Sequence, residues 1–224
     1  MTGDAIPNDT DPPIPSAADL ATHDPAGRAR LVAALDPLGI DYELFACDPA
    51  MADTTAFCAA YGFAPEDSAN TILVIGKGSP PRYAACVVLA PNRLDVNRTV
   101  RDRLGTRKAS FAPAESTREI TGMEIGGVTV FGLPADLSIW IDARVMGRER
   151  VVVGGGSRSW KVILRPADLL RIPGTCVVDG LASDPAAQPA TDPAAQPATE
   201  PATQPAAGPS GDPDPDAPGA SPAA

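Results

Sequence analysis

The sequence predicts an α+β domain built on a mixed or antiparallel sheet, and three observations predict it. Helical stripes and two-residue alternation follow one another without the strict strand–helix alternation of a doubly wound fold. Glycine and proline turns separate neighbouring apolar runs closely enough to make hairpins. The apolar residues that supply these patterns are confined to residues 25–181.

Pro25 opens the first helix, where its missing N–H costs nothing, with Asp24 as N-cap. Leu31, Val32, Leu35 and Leu38 form its stripe, and Gly39 ends it. Residues 40–47 read as a strand, with Tyr42, Leu44 and Ala46 alternating against polar neighbours. Residues 54–61 make a short helix closed by Gly62, and 66–70 add a helical turn after Pro65. Residues 71–75 are wholly apolar, as in a strand buried on both faces. Gly76, Gly78, Pro80 and Pro81 turn the chain, and 83–89 return as the partner strand. Residues 95–104 form an amphipathic helix, Val96 and Val100 inward and arginines outward, stopped by Gly105. A short strand at 108–111 and a helix at 113–120 follow. Strands are expected at 138–142, 150–153 and 160–164, and a closing helix at 166–170.

The flanks differ in kind. Residues 1–24 hold five Asp and four Pro, residues 182–224 hold eleven Pro and six acidic residues, and neither holds Lys or Arg. Such stretches bury too little to offset the entropy of ordering, so both are expected to be disordered. The second repeats DPAAQPAT at 184–191 and 192–199, as a stiff solvated tether would. The net charge of −10 resides in these flanks; between them seventeen acidic residues face eighteen basic ones. Within 82–108, seven basic side chains, among them Arg98, Arg101 and Lys108, outnumber Asp95 and Asp102. That excess reads either as a solvated helix face or as a phosphate-binding surface, which the acidic flanks would mask.

Cys47, Cys58, Cys86 and Cys176 are scattered without a CxxC pair, so zinc is not expected. The start of the chain lacks the basic-then-apolar order of a signal peptide, and a reduced cytoplasmic setting is expected. The sole histidine, His23, lies in the acidic leader, so the core holds no imidazole for a Ser-His-Asp or Cys-His device.

Three motifs can carry chemistry. Gly122, Gly126, Gly127 and Gly132 punctuate one stretch; such glycines let backbone N–H groups nest around an oxyanion, or they make a bulged loop. Gly154, Gly155 and Gly156 precede Ser157 and Arg158, as a permissive turn or as a place where a substrate comes close to the Ser157 hydroxyl. Asp142 ends an apolar strand, where it caps the next turn or binds an amino group.

The order of these motifs resembles the YbaK/EbsC family, stand-alone relatives of the editing domain inserted in bacterial prolyl-tRNA synthetases. The resemblance runs from about Arg28 to Cys176. It is carried by the strand at 71–74, Leu104-Gly105, Arg107-Lys108, Thr121-Gly122, the loop 126–132, the strand ending at Asp142, residues 153–158 and 166–170. It implies a curved, partly barrel-like sheet with surrounding helices, and hydrolysis of the ester joining a wrong amino acid to tRNA. It implies neither metal nor cofactor. The partners it implies are aminoacyl-tRNA and an aminoacyl-tRNA synthetase, not DNA or a membrane. On this resemblance Gly126, Gly127, Val128 and Asn70 form the catalytic centre. Thr129, Gly132, Asp142, Gly155 and Ser157 line the substrate, and Arg98, Arg101 and Lys108 meet tRNA. Two positions depart from the pattern: Asn70 stands where the family commonly has Lys, and Val130 where it has Pro. The rival expectation is a non-catalytic module of the same fold that binds aminoacyl-tRNA or an amino acid.

Overall fold

The computed structural model describes residues 22–185. The expected leader and tail fall almost wholly outside them.

Helix α1, Pro25–Leu35, begins as its cap dictates: Asp24 Oδ1 accepts from Gly27 N at 2.7 Å. A side-chain cap of this kind contributes about 1 kcal/mol. A 3₁₀ turn, Asp36–Leu38, continues it, and Gly39 at φ 57° ends it. Strand β1, Tyr42–Ala46, leads to α2, Thr54–Tyr61, closed by Gly62 at φ 73°. The next helical turn is only the 3₁₀ segment Pro65–Asp67. Residues 69 and 70 instead open strand β2, Ala69–Gly76, because they pair with Leu89 and Val88 of β3, Arg82–Leu89. Long-range pairing there overrides local helical tendency.

Strand β4 is Arg93–Leu94. The expected helix at 95–104 is a π turn, Val96–Val100, followed by α3, Arg101–Leu104; Asp95 caps it through Arg98 N and Thr99 N. Then come β5, Ala109–Phe111, and α4, Ala114–Thr121. Strand β6, Ser138–Asp142, runs into the single-turn helix α5, Ala143–Met146. Strands β7, Val151–Gly154, and β8, Trp160–Leu164, precede a 3₁₀ segment at Pro166–Arg171. Strands β9, Thr175–Val178, and β10, Ala182–Ser183, complete the chain described. Strand structure thus continues two residues past the expected boundary at 181, in a separate two-stranded pairing of β10 with β4.

The architecture is α+β and mixed, without a closed barrel among the described residues. A five-stranded sheet has the order β5-β2-β3-β6-β9, with β3–β6 and β6–β9 parallel and the rest antiparallel. A three-stranded sheet has the order β1-β8-β7, and a bridge from Ser68 to Val152 joins the start of β2 to β7. The main core lies between these sheets: Leu73, Ala85, Val87, Ile139 and Ile141 from one side meet Val151, Val153, Trp160, Val162 and Leu164 from the other. Leu31 and Leu35 of α1 pack into the same core. Because strand side chains alternate, each sheet has a second face. Val96, Val100 and Leu104 cover that of the larger sheet, over Val74, Cys86, Val88 and Trp140. Helix α2 covers that of the smaller, with Phe57 and Cys58 over Val152 and Ile163.

Candidate functional site

The two glycine-rich segments meet, backbone on backbone. A Cβ on Gly127 would strike the carbonyl of Ser157, and one on Gly154 the carbonyl of Val128. Gly155 faces the Trp160 backbone in the same way. Gly156 N donates to Gly127 O at 2.7 Å and fastens the two loops. Side chains at Gly127 and Gly154 would hold the loops apart, so close approach explains Gly154 and Gly155, while Gly156, at φ 85° with room for a Cβ, serves the turn.

The loop's donors divide into used and unused. Gly127 N donates to Glu124 O at 3.0 Å, so the structure removes it from the expected oxyanion donors. Thr129 N points at Met123 Sδ, 3.4 Å away. The N–H groups of Gly126 and Val128 have no hydrogen-bond partner among the described residues. Thr129 is 1 % exposed and its hydroxyl is buried without a partner. A buried orphan hydroxyl is costly and calls for a reason, and a bound polar group supplies one.

Beside this loop stands a charged cluster that sequence reasoning passed over. Lys161 of β8 is 6 % exposed. Its Nζ donates to Ala52 O at 2.7 Å and to Gly126 O at 3.4 Å, and lies 5.2 Å from the centre of the Phe57 ring. Burial pulls its pKa below the ordinary lysine value, the neighbouring Arg158 adding to the effect and Cys47 opposing it. Arg158 binds two segments: Nε to Pro49 O and Nη2 to Asp53 Oδ2 in one, at 2.9 and 3.3 Å, and Nη1 to Ile125 O in the other, at 3.3 Å. The Cys47 thiol, which donates to Arg158 O, is pushed up by burial. Asn70 reaches the same turn from β2: its Oδ1 accepts from Thr54 Oγ1 at 2.6 Å, leaving the amide NH2 to donate. Asn70 and Lys161 therefore meet the two ends of residues 52–54 from different sheets. A signal was present in the sequence. Lys161 shares its strand face with Ile163, and an apolar residue there means that a layer covers the face.

Of the other expected site residues, Ser157 adjoins the glycine loop through its backbone and the rest lie elsewhere. Asp142 is fully buried, and its carboxylate accepts from Arg144 N and Ala182 N at 3.0 and 2.7 Å and pairs with the Arg144 guanidinium. It caps α5 and anchors β10, on the Trp140 side of the larger sheet and away from the glycine loop; no oxygen remains for a substrate amino group. Ser157 Oγ accepts from Ser159 N at 3.3 Å, within its own turn. Gly132 is an exposed turn at φ 78° next to Ala34 of α1, beyond the buried Val130 and Phe131. Arg98 and Lys108 are exposed, while Arg101 is paired to Asp102 at 2.7 Å. All three belong to the segment that covers the larger sheet's outer face, so the structure does not bring them to the loop. Among the described residues no group of three His, Cys, Asp or Glu could hold a metal ion. None of the described helices is long and apolar enough to cross a membrane.

Comparison with known proteins bears on the family and the fold. The family profile of the aminoacyl-tRNA editing domain matches residues 48–172, more than half of the chain. The structure of a candidate trans-editing enzyme for prolyl tRNA synthetase is similar over 69 % of this chain and 96 % of its own, at 25 % identity and a TM-score of 0.60. The hypothetical protein APE2540 shares the fold over 69 % of this chain and 99 % of its own, at 21 % identity and a TM-score of 0.62.

Proposed function

We infer the activity from one premise: the chain belongs to the family of aminoacyl-tRNA editing domains. It is a trans-acting deacylase that hydrolyses the ester between a mischarged amino acid and the terminal ribose of tRNA. Water adds to the ester carbonyl, the bond to the ribose oxygen breaks, and that oxygen takes a proton; free amino acid and uncharged tRNA leave. The observation that carries the reading is the pair of unpartnered N–H groups at Gly126 and Val128, next to the buried Thr129 hydroxyl. A backbone donor that reaches a developing oxyanion typically contributes about 10²–10³ in rate. Asn70 adds an amide donor at the neighbouring turn around Thr54, which Lys161 ties to Gly126. The core lacks a histidine base, so a ribose hydroxyl of the substrate itself assists the attacking water.

Purified protein incubated with a panel of mischarged tRNAs tests this. Release of at least one amino acid faster than in the buffer blank is expected, and blank rates for every member would refute it. A second reading, binding of aminoacyl-tRNA without hydrolysis, is favoured by the neutral Asn70. Hydrolysis that appears only in Asn70→Lys, from a silent parent, would select that reading.

A further inference from the structure

We propose that Lys161 is the charged positioning residue of this site: its ammonium ties the Gly126 carbonyl to the turn at Ala52 and so fixes the glycine loop with its free N–H groups aimed at the ester. The inference rests on the deacylase reading and adds to it the group that holds the loop in register.

A lysine of ordinary structure lays its stem on apolar surface and keeps its head in water. Lys161 does not; the ammonium is buried under α2, where an uncompensated charge is costly. The carbonyls of Ala52 and Gly126 and the Phe57 ring offset that cost. A Met in its place would fill the space without a charge to compensate, so packing alone does not call for Lys. What Lys adds is a second bond between two segments, 49–54 and 122–132, which Arg158 also bridges from the rim through Pro49, Asp53 and Ile125; the Lys161 bond is the one made at Gly126 itself. The second segment carries the unpartnered donors. The titratable and charged groups that face the ammonium are Cys47 at the end of β1, Cys58 on α2, Asp53 at the α2 cap and Arg158 from the β7–β8 turn. Asp53 is the one carboxylate among them, and it is already paired to Arg158. With its pKa pulled down by burial, Lys161 loses its proton at a lower pH than an exposed lysine. Loop order and hydrolysis then fall together on an alkaline limb.

The full-length protein and its Lys161→Met and Lys161→Arg variants decide the matter through two readouts. These are blank-corrected hydrolysis of mischarged tRNA across pH, and amide hydrogen exchange at Met123, Gly127 and Gly156, whose N–H groups are bonded within the loop or to it. In Lys161→Met, kcat should fall about 100-fold with KM within about threefold, and exchange should speed up in the loop while the remaining core stays protected. In Lys161→Arg the loop should stay protected and most activity remain. Its alkaline limb should move upward, because a guanidinium keeps its proton. Wild-type kcat and loop protection in Lys161→Met would overturn the proposal. An alkaline limb in Lys161→Arg that coincides with the wild type would also overturn it, and this arm survives should the Met variant fail to fold. If the wild type hydrolyses no mischarged tRNA, the deacylase reading falls and the exchange readout alone decides: faster exchange confined to the loop in Lys161→Met upholds the clamp, and unchanged exchange refutes it.

Discussion

Asp142 and Lys161 are both buried charged side chains on strands, yet they serve opposite ends. The region around Asp142 is closed upon itself. Its carboxylate takes two backbone N–H groups and a guanidinium, joining β6, α5 and β10, and each of these partners is structural. The region around Lys161 is open on one side. Its ammonium holds a loop whose next donors have no partner. Burial of a charge thus does not itself mark a site; what the charge holds, and whether that partner is in turn satisfied, tells the two apart.

The largest expected effect falls on the closed region. Asp142→Ala strands the buried Ala182 N, at about 1–3 kcal/mol, and removes the cap of α5, at about 1 kcal/mol more, while the half-exposed Arg144 keeps the Ala182 carbonyl. Urea unfolding should show that loss, while the hydrolysis rate per folded molecule stays at the wild-type level. A drop in that rate of tenfold or more would return Asp142 to the substrate and break the comparison.

Gly154→Ala comes next and strikes the open region. Its Cβ meets the Val128 carbonyl, so the two loops must part, at about 1–3 kcal/mol for such overpacking. Hydrolysis should fall by about 100-fold, more than the stability loss explains at a temperature where the variant is folded. Activity that survives intact would mean that the loop spacing is irrelevant to the chemistry.

The smallest effect is a difference of sign in alkaline stability. Lys161 has its pKa lowered by burial, so between that value and the ordinary lysine value the unfolded chain binds more protons. Stability gained there rises with pH, and Lys161→Met should make the alkaline decline steeper. Cys86, across the sheet from the main core, has its pKa raised by burial. Above the ordinary thiol value the folded chain binds more protons, stability falls with pH, and Cys86→Ala should make the decline shallower. Urea midpoints measured from about pH 8 to 11 would reveal both; equal slopes in the two variants would remove the distinction.

The sequence made most of the scaffold legible, because its signals are local. The cap at Asp24, the glycine stops at Gly39, Gly62 and Gly105, and the strands at 138–142 and 160–164 are all where pattern and turn chemistry place them. The two-residue strands β4 and β10 were illegible, being too short for periodicity and defined only by each other. The glycine segments could be singled out by composition, but their contact depends on the β7–β8 turn reaching a loop some thirty residues away. Asp142 was noticed because an acid ends an apolar strand. Lys161 reads as solvent-facing because lysine is polar; Ile163 on the same strand face is the one local signal against that reading, and the helix packed over both decides it.

The bond from Ala182 N to Asp142 has a practical corollary. A shortened or fused version of this protein must keep the chain through Ser183, since a cut after residue 181 would strip a fully interior carboxylate of a donor and release the strand beside Arg93. Ser183 and Asp184 also make contacts, so a tag or linker joined beyond residue 184 leaves the anchor whole.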